Sequence, residues 1–302
     1  MSEPQNPQSP QSPQSPLAAL SDHAARLVDA TAGATVSVKV GRRARASGIH
    51  WRSGVIVTAE EILDADDDIK VTLPDGREVA ATLAGRDPST DIAVLRFAPD
   101  GLATAPTADA GTLRAGHLVL AVGRHGGAPV ASLGMVAHVG GAWHSQRGGT
   151  IDALLRLDLR LGAGAEGGAL TDTQGHVLGM VVAGPRGRVL AIPTATIDRA
   201  VDALLAKGYV GRGYLGAGLQ PLRKGQGGGI LVVSVDPDGP AARAGLMVGD
   251  IVTAWNAAPI SRVREVIHRL GPDSVGSAVD LALSRGGAAA GVKVTIGERP
   301  VH

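Results

Sequence analysis

Between about residues 34 and 192 the apolar residues come as short β-rich runs: Val36–Val40, Val55–Thr58, Ile69–Leu73, Ile92–Phe97, Leu118–Val122, Val177–Val182 and Val189–Ile192. Glycine, proline and aspartate separate them, and Pro74-Asp75-Gly76 predicts a hairpin between two of them. Strands this short and this numerous bury an apolar face by curling into a barrel or stacking as a sandwich. Tight connections between them need positive φ, which accounts for part of the 43 glycines in 302 residues. No Gly-every-third period runs through the chain, so a collagen-like helix is excluded.

Composition narrows the function classes. One Phe, two Tyr and three Trp leave a core built from Val, Leu, Ile and Ala. So few rings also argue against stacking on single-stranded nucleic acid. Twenty-nine basic against 28 acidic side chains create no broad phosphate-attracting field, so nucleic acid is not expected as a partner. The absence of cysteine removes disulfides, zinc-thiolate sites, iron–sulfur clusters and a Cys nucleophile together. No apolar stretch reaches bilayer length, and Met1 precedes polar repeats in place of a basic segment and an apolar run. These features predict no membrane span and a cytoplasmic location.

The chain divides into four parts. Residues 1–16 carry Gln-Ser-Pro repeats, which cannot bury a core and predict a disordered tail. Leu17, Leu20, Ala24, Leu27 and Val28 recur at helical spacing and predict a short amphipathic helix over 17–33. The β-rich unit occupies 34–207 and ends in a helix: Ile197, Ala200, Val201, Leu204 and Leu205 form its apolar stripe, Thr194 or Thr196 caps it, and Lys207-Gly208 closes it. Residues 208–298 read as a small α+β module, with strands at Ile230–Val235, Ile251–Trp255, Val279–Leu283 and Val292–Ile296 and a helix over 261–270.

Within that last unit, Arg212-Gly213-Tyr214-Leu215-Gly216-Ala217 precedes the Ile230–Val235 strand, then DPDGPAARAG over 236–245, then Leu246-Met247-Val248-Gly249-Asp250-Ile251. This ordered set resembles the PDZ domain of bacterial HtrA-type proteases. The resemblance implies that Tyr214, Leu215, Gly216 and Ala217 present backbone N–H groups to a terminal carboxylate, that the next strand pairs with the peptide, and that Ile267 lies on the helix walling the groove. Gly249-Asp250 reads as a turn and backbone cap that supports the fold.

The preceding unit resembles the HtrA family of chymotrypsin-fold serine proteases over about residues 30–207, which implies a mainly β fold of two β-barrels before the PDZ domain. Asp91 in Asp91-Ile92-Ala93-Val94-Leu95 matches the family's catalytic aspartate. At the histidine motif, Thr58-Ala59-Glu60-Glu61-Ile62-Leu63 puts Glu61 in place of His. At the nucleophile motif, Gly164-Ala165-Glu166-Gly167-Gly168-Ala169-Leu170 puts Glu166 in place of Ser, while Gly164, Ala165 and Glu166 keep an oxyanion-type loop. His50 precedes the Gly54–Thr58 strand where the motif requires a histidine after it, and no Gly-x-Ser-Gly-Gly occurs to partner His117, His125, His138, His144 or His176. Acyl transfer needs a Ser whose proton a His removes and an Asp that orients the imidazole.

The expectation is a catalytically inactive, HtrA-like adaptor, scaffold or holdase that binds protein C-termini or unfolded segments and needs no cofactor. The alternatives are an active serine endopeptidase, or a subunit that regulates an active homologue or forms a homo-oligomer. Glu61, Asp91 and Glu166 would share one cleft in such a fold. They would then form a weak divalent-cation site or a pH-sensitive carboxyl pair, or else point to water in an abandoned site.

Overall fold

The computed structural model describes residues 15–41, 44–98, 101–222 and 228–300. The Gln-Ser-Pro repeats therefore lie outside the described residues, apart from Ser15 and Pro16. Ser15 Oγ accepts the Ala18 N–H (3.2 Å) and caps helix α1 (Pro16–Ala32), whose Leu27 and Ala32 cover Leu120 and Val122.

Six strands close a first barrel: β1 (Thr35–Val40), β2 (Ala44–Arg52), β3 (Val55–Thr58), β4 (Ile69–Thr72), β5 (Glu78–Asp87) and β6 (Ile92–Phe97), in the order β1-β2-β3-β6-β5-β4. Val36, Val38, Ile56, Val71 and Leu95 fill it, with Ile69 and Val71 turned in and Lys70 out, the two-residue alternation of a pleated strand. A second barrel follows from β7 (Leu118–His125) and β8 (Ala128–Gly140), a two-stranded ladder of β9 (Trp143–His144) and β10 (Thr150–Ile151), then β11 (Leu154–Asp158), β12 (Ala169–Thr171), β13 (Val177–Gly184) and β14 (Arg188–Pro193). Its closed order is β11-β14-β13-β12-β7-β8. The mainly β, double-barrel expectation is met.

Two expectations are corrected. Helix α2 (Thr194–Lys207) starts after Pro193 without a side-chain cap: Thr194 Oγ1 donates to the Ala108 carbonyl and Thr196 Oγ1 to Asp152, so tertiary partners outcompete the helix end. Gly208 does close it, in the left-handed region at φ 78°. The runs of aliphatic residues also omitted β2, β5, β8, β11 and β12. β8 contains Pro, Ser, Ala and Gly and qualifies as a strand only because β7 and β11 flank it.

Arg124 ties the parts together. Its buried guanidinium donates to the carbonyls of Thr35 (3.0 Å), Gly127 (2.6 Å) and Ala32 (2.7 Å), joining β1, the β7–β8 turn and the end of α1. No carboxylate pairs with it among the described residues, and burial pulls its pKa down. Arg124→Met should remove about 2–4 kcal/mol of stability by orphaning three carbonyls, read as a lower denaturant midpoint at unchanged slope.

The last unit contains β15 (Gly213–Tyr214), β16 (Ala217–Pro221), β17 (Ile230–Val235), α3 (Pro240–Arg243), β18 (Ile251–Trp255), β19 (Ala258–Pro259), α4 (Val263–Arg269), β20 (Ala278–Arg285), β21 (Ala288–Thr295) and β22 (Gly297–Glu298). Its sheet runs β16-β17-β18-β20-β21, so β16 is an edge strand, and α4 packs beside it. Leu215, Ile230, Val232, Trp255, Val266 and Leu281 belong to a core separate from those of the barrels. Asp250 is buried, accepts the Met247 N–H (2.8 Å) and takes two bonds from Arg285 (2.7 Å each), the supporting role expected of that turn.

Candidate active site and peptide groove

The turn from β5 to β6 is built by Asp87, whose carboxylate accepts the Ser89 N–H (3.0 Å), Ser89 Oγ (2.6 Å) and Thr90 Oγ1 (2.6 Å). It delivers Asp91 at φ 59°, a conformation that aspartate tolerates better than most residues. Asp91 Oδ1 accepts the backbone N–H of Glu61 (2.9 Å), and the Asp91 carbonyl accepts that of Glu60 (3.3 Å). The single turn Glu60–Ile62 after β3 is thereby pinned to Asp91, which places residue 61 directly beside the aspartate.

Glu166 comes from the other barrel, on the loop between β11 and β12. Its carbonyl accepts the Ser47 N–H (2.8 Å) and its Oε1 accepts the Ala183 N–H from β13 (2.8 Å). The three carboxyl groups sense one another. Burial pushes the Asp91 pKa up to about 7; the Glu61 N–H opposes this, while the charges of Glu61, Glu166 and Glu60 add to it. Burial raises Glu166 as well, with the Ala183 N–H opposing and Glu61 adding. Among the described residues no group of three or more His, Cys, Asp or Glu side chains is arranged to hold a metal ion.

In the loop Gly164-Ala165-Glu166, the Ala165 N–H is spent on the Gly162 carbonyl (3.1 Å), and the Gly164 carbonyl is held inward by Ser47 Oγ (2.5 Å). The Gly164 and Glu166 N–H groups find no acceptor among the described residues. That leaves two donors of the kind an oxyanion pocket uses, with a carboxylate attached to one of them.

His50 does not join this site. It is buried on β2, its Nδ1 bonds the Ala103 carbonyl (2.9 Å), and its ring meets Phe97 edge-on at 5.1 Å. Sequence reasoning missed two neighbours. Ser47 braces the Gly164 loop, and its hydroxyl is consumed by the Gly164 carbonyl and the Arg124 N–H (2.7 Å). Glu60, buried next to Glu61, pairs with Arg86 (3.2 Å) and Arg147 (3.3 Å). Its only sequence signal was a carboxylate in a stretch that otherwise becomes core.

The PDZ residues separate into two places. The Leu215 carbonyl accepts the Ala241 N–H (2.8 Å) and the Gly216 carbonyl the Asp236 N–H (2.9 Å). Because a trans peptide points N–H opposite to C=O, the N–H groups of Gly216 and Ala217 face away from these partners. Tyr214, Gly216 and Ala217 line a 400 Å³ depression on the β17 side, with Ser234, Val235 and Asp236 and no residue of α4, and the Tyr214 hydroxyl is fixed on Asp236 (2.9 Å). Leu215 points into the core instead. Ile267 lies against Gly148 of the barrel and lines a different, 530 Å³ cavity, because α4 is applied to the 145–149 turn.

Two antiparallel barrels that present an aspartate and an oxyanion-type loop to each other, followed by a module with an edge strand beside a helix, define a trypsin-like peptidase fold carrying a PDZ domain. The chain matches the trypsin-like peptidase domain over residues 46–180 and the PDZ domain over 213–296. It is 32% identical over 286 residues to a probable periplasmic serine endoprotease DegP-like of Halomonas elongata, covering 86% of this chain and 57% of that protein. The protein of the same description in Brucella suis is 32% identical over 268 residues, covering 82% and 51%. Among solved structures, the serine endoprotease from Yersinia pestis superposes with TM-score 0.73 at 30% identity, covering 96% of this chain and all of that one. The HtrA-type protease AlgW with a decapeptide does so with TM-score 0.73 at 26% identity, covering 92% and 99%. The chain belongs to the HtrA family.

It spans little more than half the length of the curated relatives it matches. Those relatives are described as periplasmic, which overturns the cytoplasmic expectation. Among the described residues no helix is long and apolar enough to cross a membrane.

Proposed function

We propose that this chain is a catalytically inactive HtrA-family protein that binds C-terminal or unfolded polypeptide segments through its PDZ domain and acts as an adaptor, scaffold or holdase. The observation that carries the reading is the pair of glutamates where acyl transfer needs a base and a nucleophile: Glu61, with its N–H on the Asp91 carboxylate, and Glu166, with its carboxylate on Ala183. A carboxylate cannot replace the hydroxyl nucleophile of the serine mechanism, and its negative charge repels an oxyanion forming beside it. Casein turnover together with fluorophosphonate labelling tests this: no labelling and background turnover are expected. Labelling at any serine of this chain would refute it.

A second reading, an active endopeptidase or a partner of one, is favoured by the relatives being described as endoproteases. Co-purification with an active homologue would support the partner version.

The peptide-binding half rests on the exposed edge of β16 beside α4 and on the outward N–H groups of Gly216 and Ala217. Gly216 sits at φ 74°, and a Cβ there would lie 3.0 Å from Gly239 Cα. Gly216→Val should weaken binding of a peptide with a free C-terminal carboxylate at least about ten-fold, measured by fluorescence anisotropy, while amidating the wild-type ligand has a comparable effect.

A further inference from the structure

A 530 Å³ cavity lies between the barrel unit and the PDZ domain, and four arginines line it: Arg86 from the end of β5 in the first barrel, Arg147 from the β9–β10 turn, and Arg212 and Arg299 from the two ends of the PDZ domain. Their counter-charges are uneven. Arg86 is paired with Glu60 and Asp66, and Arg147 shares Glu60. Arg212 gives a hydrogen bond to the Arg147 carbonyl, and neither it nor Arg299 has a carboxylate ion pair among the described residues. The one carboxylate in the lining, Asp87, is buried and already accepts three bonds from Ser89 and Thr90.

The Arg86 Nε, on one of these lining residues, is buried and has no acceptor among the described residues. Burial depresses the Arg212 pKa, the Asp87 charge opposes this, and the like charge of Arg299 adds to it. Bringing a partly desolvated arginine close to a second one costs free energy unless an anion joins them. The volume is in the range of small-molecule sites, and guanidinium forks match the tetrahedral oxygens of a phosphoryl group. Tyr209, Ile267 and Leu270 add apolar surface to the lining.

We propose that this inter-domain cavity is a binding site for a small phosphate-bearing anion of two or more charges, held between Arg86 and Arg147 on the barrel and Arg212 and Arg299 on the PDZ domain. The ligand would fasten the two units, because each contributes half of the guanidinium groups. It would also touch the candidate active site indirectly, since Arg147 and Arg86 are the partners of Glu60, whose backbone N–H bonds Asp91.

The test is isothermal titration and thermal unfolding of the full chain with pyrophosphate, inorganic phosphate and sodium chloride at matched ionic strength. Saturable binding of pyrophosphate is expected, with an upward melting shift that chloride does not reproduce and that phosphate reproduces more weakly. The Arg212→Gln/Arg299→Gln variant should bind at least about ten-fold more weakly. Arg299→Gln alone changes an exposed side chain and serves if the double variant fails to fold. No saturable binding by the wild type, an equal shift with chloride, or unchanged affinity in both variants would overturn the proposal. So would displacement of pyrophosphate by a carboxylate-terminated peptide with equal affinity, which would assign the arginines to the peptide.

Discussion

A Glu61→His/Glu166→Ser double variant is expected to become reactive toward a fluorophosphonate and to hydrolyse an activated ester at least about 100-fold faster than the wild type, the scale of a positioned general base. Two features of the proposed site support this expectation. Asp91 Oδ1 already holds the backbone N–H of residue 61, so an imidazole there would sit beside the carboxylate that orients it. The Gly164 and residue-166 N–H groups have no other acceptor among the described residues. Triad members act as a unit, and losing the nucleophile or base costs roughly 10⁴–10⁶ in turnover, so Glu166→Ser alone should stay close to the wild type. Wild-type turnover within about ten-fold of an active relative would refute the inactive reading. A double variant as inert as the wild type would show that the loop geometry has drifted along with its side chains.

Asp91→Asn should make the protein more stable above neutral pH. The folded-state pKa of Asp91 is raised from 3.8 to about 7, so between those values the folded chain keeps a proton that the unfolded chain has released. Stability therefore falls as pH rises through this window, and the protonated-state advantage, present below pH 4, is gone above pH 7. The shift corresponds to about 4 kcal/mol at most. The raised Glu166 acts in the same direction. Asparagine keeps an acceptor for the Glu61 N–H, tolerates positive φ and carries no charge to bury. Denaturant titrations from pH 4.5 to 8.5 should show a falling wild-type curve and a flatter one for the variant, with the variant higher at pH 8. A variant less stable than the wild type at pH 8 would mean that Asp91 is ionised and favourably placed.

Legibility in the sequence tracked burial pattern. β1, β3, β4, β6, β7, β13 and β14 were visible because their aliphatic residues are inside the barrels. β5 and β8 were not, because small and polar residues occupy strands whose neighbours on both edges supply the hydrogen bonds that propensity does not. Among site residues, the Glu61 N–H bonds the Asp91 carboxylate and the Glu166 charge acts on Asp91, links between segments that the local motifs only suggest. Ser47 and Glu60 escaped notice, because bracing a loop or pairing with an arginine 87 residues away leaves no local pattern.

The sequence alone determined the double-barrel class, the PDZ module and the absence of cysteine, and it supplied the motif alignment on which the proposed inactivity rests. These are matters of composition and order, which folding does not alter. Only the tertiary structure decided that the Glu166 carboxylate docks on Ala183, that Ile267 faces the barrel and that four arginines line one cavity. Each depends on where segments distant in sequence pack, and a titration near neutral pH at Asp91 exists only because packing removes water and gathers like charges around one carboxyl group.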